Sequence, residues 1–169
     1  LTDREHSIDQ APSVLLRSVR AAEWDVLAKL DDSGWSRLVS EILGRGTDVS
    51  VFAVIDPDYR ERIAVALSAG RRHVRNFDSI EILGSDLDAL GLRCRRTPGT
   101  TGVPEVDALH RVIDLDEQSA SRLIRHLAAR GTRRARVRKE ALRASARRLR
   151  DAGRITLPEN SWLLSHEND

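Results

Sequence analysis

Cysteine occurs once in the 169 residues, at Cys94, so no intrachain disulfide can form and no cysteine-based zinc site can be assembled. That usage fits an intracellular chain. Aromatic residues are nearly as scarce: Trp24, Trp35, Trp162, Tyr59, Phe52 and Phe77 are all there are, so a core must be aliphatic, built from Leu, Val, Ile and Ala. No run approaches the roughly 18 apolar residues of a membrane span. The start of the sequence lacks a basic-then-apolar secretion pattern, so a soluble, cytoplasmic chain with no membrane partner is expected. Lysine is confined to Lys29 and Lys139, which leaves arginine to supply the other 26 of 28 basic residues. No internal repeat or low-complexity tract is present.

What is abundant is arginine in one place. Between Ser121 and Arg154 the basic residues are Arg122, Arg125, Arg130, Arg133, Arg134, Arg136, Arg138, Lys139, Arg143, Arg147, Arg148, Arg150 and Arg154. These 13 cations face two acids, Glu140 and Asp151, giving a local charge of +11 in a chain whose total is +2; everything else therefore sums to −9. Such asymmetry between segments points to a polyanionic partner. Guanidinium groups make bidentate hydrogen bonds to phosphate oxygens or to the O6/N7 edge of guanine, and they stay charged at any working pH.

Along the chain, residues 1–12 are polar and mixed in charge, as in a flexible N-terminal arm. Val14, Leu15, Val19, Ala22, Val26, Leu27 and Leu30 recur at helical spacing, predicting a helix over 13–30. Asp32 or Ser33 is the expected cap of a second helix that turns Trp35, Leu38, Val39, Ile42 and Leu43 to one side and ends at Gly44 or Gly46. Residues 49–55, VSVFAVI, form the strongest strand pattern, nearly continuous in apolar residues as in a strand covered on both faces. A helix to about Ala69, stopped by Gly70, follows. Weaker strands are expected at 79–83 and 92–95. The turn-rich stretch 97–104 marks a domain boundary. Beyond it, Asp114 or Asp116 caps a helix with Ala120, Leu123, Ile124, Leu127 and Ala128 inward, ending at Gly131. An unbroken 21-residue stretch, 132–152, then leads to Gly153 and to two short apolar runs, 154–157 and 162–164, around a turn, the pattern of a β-hairpin. The expected class is α+β or α/β: an arm (1–12), a small α/β dimerisation or sensing domain with a helix-covered sheet (13–104), and a nucleic-acid-binding module (105–169).

Leu149, Ala152, Gly153, Ile155 and Leu157, with Trp162, Leu163 and Leu164 returning, resemble the ending of winged helix-turn-helix domains. The resemblance covers about 114–165, a third of the chain. It implies a winged-helix-like module that lays a recognition helix in the major groove of double-stranded DNA and rests a wing on the neighbouring backbone. One departure is that no Gly or Pro marks a turn before the recognition helix. At 100° per residue, Val137, Ala141, Ser145, Leu149 and Ala152 share one face, with Arg136, Lys139, Arg143, Arg147 and Arg150 opposite. One continuous helix and two helices broken near 142–144 both fit that phasing. The expected nucleic-acid contacts are Arg133, Arg134, Arg136, Arg138, Lys139, Arg143, Arg147, Arg148, Arg150 and Arg154. The resulting expectation is a DNA-binding transcriptional regulator, a homodimer without a cofactor. The alternative reading of the same face is a solvated arginine surface answered by acids from elsewhere in the chain.

Candidate chemistry in the first half is thinner. Asp56 and Asp58 follow a buried strand, where α/β folds place metal-binding carboxylates, and with Glu81 or Asp86 they would make the divalent-metal site of a nuclease. The same Asp-Pro-Asp is also an N-cap, a Pro at N1 and an acid facing the helix dipole, which is the favoured reading. His73, His110 and His126 have no second ligand at metal spacing. Arginines 93, 95 and 96 around Cys94 favour its thiolate, though a buried or idle thiol is the simpler reading. Nuclease activity and an RNA- or protein-interaction subunit stand as the alternative functions.

Overall fold

The structure, a computed structural model, describes residues 12–20, 24, 31–44, 46–159 and 161–164. The expected arm, except Pro12, lies outside the described residues. The class is mixed α and β. Among the described residues six strands form one antiparallel sheet: β1 (Val14–Ser18), β2 (Asp48–Ala53), β3 (Phe77–Leu83), β4 (Cys94–Arg96), β5 (His110–Asp114) and β6 (Arg134–Val137), in the order β4-β5-β2-β1-β3-β6. The helices are α1 (Asp32–Leu43), α2 (Pro57–Ala69), α3 (Gly84–Leu90), the single turn α4 (Pro104–Asp107), α5 (Glu117–Arg130) and α6 (Lys139–Asp151). None of these is long and apolar enough to cross a membrane.

Residues 14–18 of the helix expected over 13–30 are a strand; of its later part, 21–23 and 25–30 lie outside the described residues. β1 pairs with β2 through Leu15↔Ala53 and with β3 through Leu15↔Ile82, so it is the central strand of the sheet. Leu15 and Leu16 point to opposite faces and both are buried. A short, continuous apolar run satisfies helical spacing and two-faced burial equally well, and here strand pairing decides. β2 and β3, both antiparallel to β1, are parallel to each other and joined by α2. β5 and β6 are likewise parallel and joined by α5 across the three strands between them.

Helices cover both faces. On one, α5 packs against α1 and α3; on the other, α2 packs against α6 and α4. Ala120, Leu123, Ile124 and Leu127 of α5 and Leu38, Val39 and Ile42 of α1 are buried, as their spacing requires. Local signals mostly hold. Asp56 caps α2, its Oδ1 accepting from the amides of Asp58 at 2.8 Å and Tyr59 at 3.3 Å, with Pro57 at N1. Asp116 caps α5. The cap of α1 is Asp31, one residue before the expected pair, accepting from Gly34 N at 2.8 Å.

The arginine-rich region departs most from expectation. The 132–152 stretch is broken by β6, which pairs with β3 from Phe77↔Val137 to Ile80↔Arg134, so residues on both sides of the 97–104 loop share one sheet. No strand occurs at 154–164 among the described residues. After α6, Gly153 takes a left-handed conformation (φ 64°) and Arg154 N bonds back to Leu149 O at 2.8 Å. The reversed chain then buries Ile155, Ser161 and Leu163, with Ser161 Oγ donating to Ala69 O of α2 and Thr156 Oγ1 donating to Glu105. The two apolar runs serve as a cover over α2 and α4 rather than as a hairpin.

Candidate nucleic-acid interface

Helix α6 buries Leu142, Ser145, Ala146 and Leu149. Ser145 and Leu149 are on the expected inner face; Ala141 and Ala152 are exposed instead. The phasing shifts because the helix begins at Lys139, so Val137 belongs to a strand and cannot set its register. With this register Lys139, Arg143, Arg147 and Arg150 fall within a sector of about 80° along one flank. Arg148 emerges on the opposite flank, which packs on α2: its Nη2 lies 2.5 Å from Glu61 Oε1, and Ser145 Oγ donates to the same oxygen. Burial pushes the Glu61 carboxyl up, but these two donors outweigh it and hold the group below the ordinary range.

The fold answers part of the +11 with acids from earlier in the chain. Arg136 sits opposite Asp78 across the β3–β6 ladder, Nε to Oδ1 at 2.7 Å. Arg154 bonds Asp58, whose carboxyl that bond and charge hold low. Arg133 Nη1 lies 3.9 Å from Glu81 Oε2, and Arg130 is bound by Asp86 at 2.7 Å. Arg150 bonds its neighbour Asp151 at 2.8 Å. Arg134 is exposed on the edge strand β6, and Arg138, exposed, is the N-cap residue of α6. Of the expected contacts, then, Arg133, Arg136, Arg148 and Arg154 tie the C-terminal segment to the rest of the sheet and to α2. Arg138, Lys139, Arg143, Arg147 and Arg150 belong to the start and outer flank of α6.

The metal-site candidates are not assembled. Asp56 is engaged as a cap, Asp58 by Arg154 and Glu81 by Arg60 at 2.7 Å. Asp86 is buried between α3 and α5. Among the described residues no group of three His, Cys, Asp or Glu side chains is placed to hold a metal ion.

A second basic feature escaped the reading of the sequence. An open cleft of about 1140 Å³ lies between α1 and the α2–β3 connection, lined by Arg20, Arg37, Arg71, Arg72, His73 and Arg75, with serine hydroxyls and Asn76 between them. Among the described residues its two acids are already engaged: Glu41 accepts from Arg20 N at 2.5 Å and from the Trp24 indole at 3.1 Å, and Asp78 accepts from Arg136. The run Arg71-Arg72-His73-Val74-Arg75 was the available signal; weighing His73 by itself, and only for a metal role it does not fit, obscured it. No protein family, curated protein or solved structure matches the chain.

Proposed function

We propose that the chain is a DNA-binding protein that reads duplex DNA through α6 and acts as a transcriptional regulator in the cytoplasm. The observation that carries the reading is the one-sided stripe Lys139–Arg143–Arg147–Arg150 on a helix whose other flank is packed on α2. The eleven steps from Lys139 to Arg150, at about 1.5 Å each, make a track of about 16 Å, comparable with a major groove about 12 Å wide. Phosphate contacts from such a row supply affinity and salt dependence, and one or two side chains reaching base edges supply sequence preference. The winged-helix resemblance assigns the recognition role to α6 within 105–169. With Ile155 and Leu163 buried, the helix rather than a projecting wing makes the contact. Residues 13–104 then serve dimerisation or sensing, since one short helix reads few base pairs and two-fold pairing doubles the site.

The test is an electrophoretic shift and salt titration of Arg143→Ala/Arg147→Ala on duplex DNA. For every phosphate that the variant no longer neutralises, the slope of log affinity against log salt should fall by about one. Both side chains are half-buried, though neither is among the buried residues of α6, so a thermal melt is run alongside and should show the variant folded. Unchanged binding by the folded double variant overturns the proposal, and sedimentation of the native chain as a monomer on a two-fold site removes the dimer from it.

A further inference from the structure

We infer that the cleft between α1 and the α2–β3 connection holds a single-stranded polynucleotide segment, its phosphates on Arg37, Arg72 and Arg75 and an unpaired base against Trp162 and His73. The inference rests on the nucleic-acid reading above and adds a second, chemically different site to it.

Three observations converge. First, among the described residues the cleft concentrates cations while its acids are engaged: Glu41 on Arg20 N and Trp24, Asp78 on Arg136. Arg71 is half-buried, reaching Ser18 Oγ at 3.5 Å; loss of water and then the nearby charge of Arg75 both depress its pKa. Crowded like charges in a partly dry recess are relieved by an anion placed between them. Second, an aromatic platform stands at the rim. Trp162 is 44% exposed, an unusual state for the largest apolar side chain, and its ring lies 6.2 Å from that of His73, tilted by 40°. Third, the recess is an open trough larger than the 300–1,000 Å³ typical of a small-ligand pocket, which suits a chain passing through. Guanidinium groups along a trough with a π-surface beside them are the elements of single-strand recognition. A base inside a duplex has no free face to lay on Trp162.

The experiment compares a labelled oligothymidine with a hairpin duplex by fluorescence anisotropy at fixed salt, using the full chain. The variants are Arg72→Ala/Arg75→Ala, Trp162→Leu and Arg143→Ala/Arg147→Ala; each altered residue in the first two is exposed, and melting curves verify folding. The cleft double variant and Trp162→Leu should each weaken single-strand binding by about fivefold or more while duplex binding stays within about twofold. Quenching of tryptophan emission by the oligothymidine should be lost in Trp162→Leu. The α6 variant should show the reverse preference. Single-strand affinity within twofold of native in both cleft variants, with duplex still bound, overturns the cleft site alone. Equal loss on both ligands also overturns it, since that describes one undivided electrostatic surface. A native chain that retains neither ligand brings down the parent reading as well.

Discussion

Asp86 is the most buried acid in the described chain, with its side chain 3% exposed, and replacing it tests how β3 and α3 are joined to α5. It stands at N3 of α3 and accepts four hydrogen bonds: from Leu83 N at 2.7 Å, from Arg130 Nε at 2.8 Å and Nη2 at 2.7 Å, and from His126 Nε2 at 3.0 Å. Arg130 Nη2 also reaches Glu81 O at 2.9 Å. One carboxylate thus locks the end of β3, the start of α3 and the last turn of α5. In Asp86→Ala the guanidinium of Arg130, 20% exposed, loses its partner while remaining largely out of water. Breaking a buried pair from one side costs about 3–5 kcal/mol; the partial exposure of Arg130 argues for the lower end, about 3 kcal/mol. With a urea slope of about 2 kcal/mol/M, the unfolding midpoint should fall by about 1.5 M. Asp86→Ala combined with Arg130→Met should cost less than the sum of the two single changes, because the stranded charge is gone. Additive effects, or a loss below about 1 kcal/mol for Asp86→Ala, would refute the reasoning. The pH dependence has a definite sign. Burial pushes the Asp86 carboxyl up, but Arg130, the Leu83 amide and His126 outweigh it and the net pKa is depressed. Its contribution is therefore complete above the unfolded value near 3.9 and is lost as pH falls through the lower folded value. The difference in stability between native and Asp86→Asn should be flat above about pH 5 and shrink in strong acid.

Three further outcomes are expected. Asp56→Ala removes the cap of α2 and should cost about 1 kcal/mol in urea unfolding, with no loss of a metal-dependent property. Gly99→Ala places a methyl group 2.7 Å from the Asp107 Cα and should cost about 1–3 kcal/mol, with the greatest rise in amide exchange at Thr101, whose N–H donates to Asp107 Oδ1 at 2.7 Å. Asp78→Asn neutralises the half-buried acid of a pair whose arginine is exposed, so stability should change by about 1 kcal/mol or less, while DNA affinity at low salt should rise because the surface gains a unit of positive charge. Unchanged affinity in that variant would separate β6 from the binding surface.

Where the sequence was informative, the cause was local. Asp-Pro-Asp, Gly70, Asp116 and Gly131 act on their own few residues, so caps and stops were legible before any tertiary pairing was known. The 48–53 strand was legible, as 49–55, from a short β-branched apolar run bounded by turn residues, and the inner faces of α1 and α5 because each carries one helical period. What could not be read depended on pairing at a distance. Val14-Leu15-Leu16 fits a helix until β2 and β3 flank it. Arg134-Ala135-Arg136-Val137 alternates as an edge strand should, yet its charge concealed it inside an apparent helix, and that error moved the register of α6. Lys139, Arg143, Arg147 and Arg150 of the expected row do share one helix while Arg136 lies in β6, and which guanidinium groups meet Glu61, Asp58 or Asp78 is a property of the tertiary fold. The cleft was illegible for the same reason: Arg37 and Arg75 are 38 positions apart and meet only across the ends of the sheet.

The two basic features meet at one end of the β3–β6 pair. Asp78 lines the cleft and binds Arg136 of β6; two positions earlier, Asn76 lines the cleft and its Oδ1 accepts from Lys139 N, the first residue of α6, at 3.0 Å. A phosphate backbone leaving the cleft would therefore arrive at the start of the α6 stripe without crossing an unengaged acid from this pair of strands. The antiparallel pairing of β3 with β6 fixes that junction, because Phe77↔Val137 sets how far α6 begins from the cleft. On the proposed reading, a duplex on α6 and an unpaired segment in the cleft would occupy neighbouring sites that adjoin at this end of the β3–β6 pair.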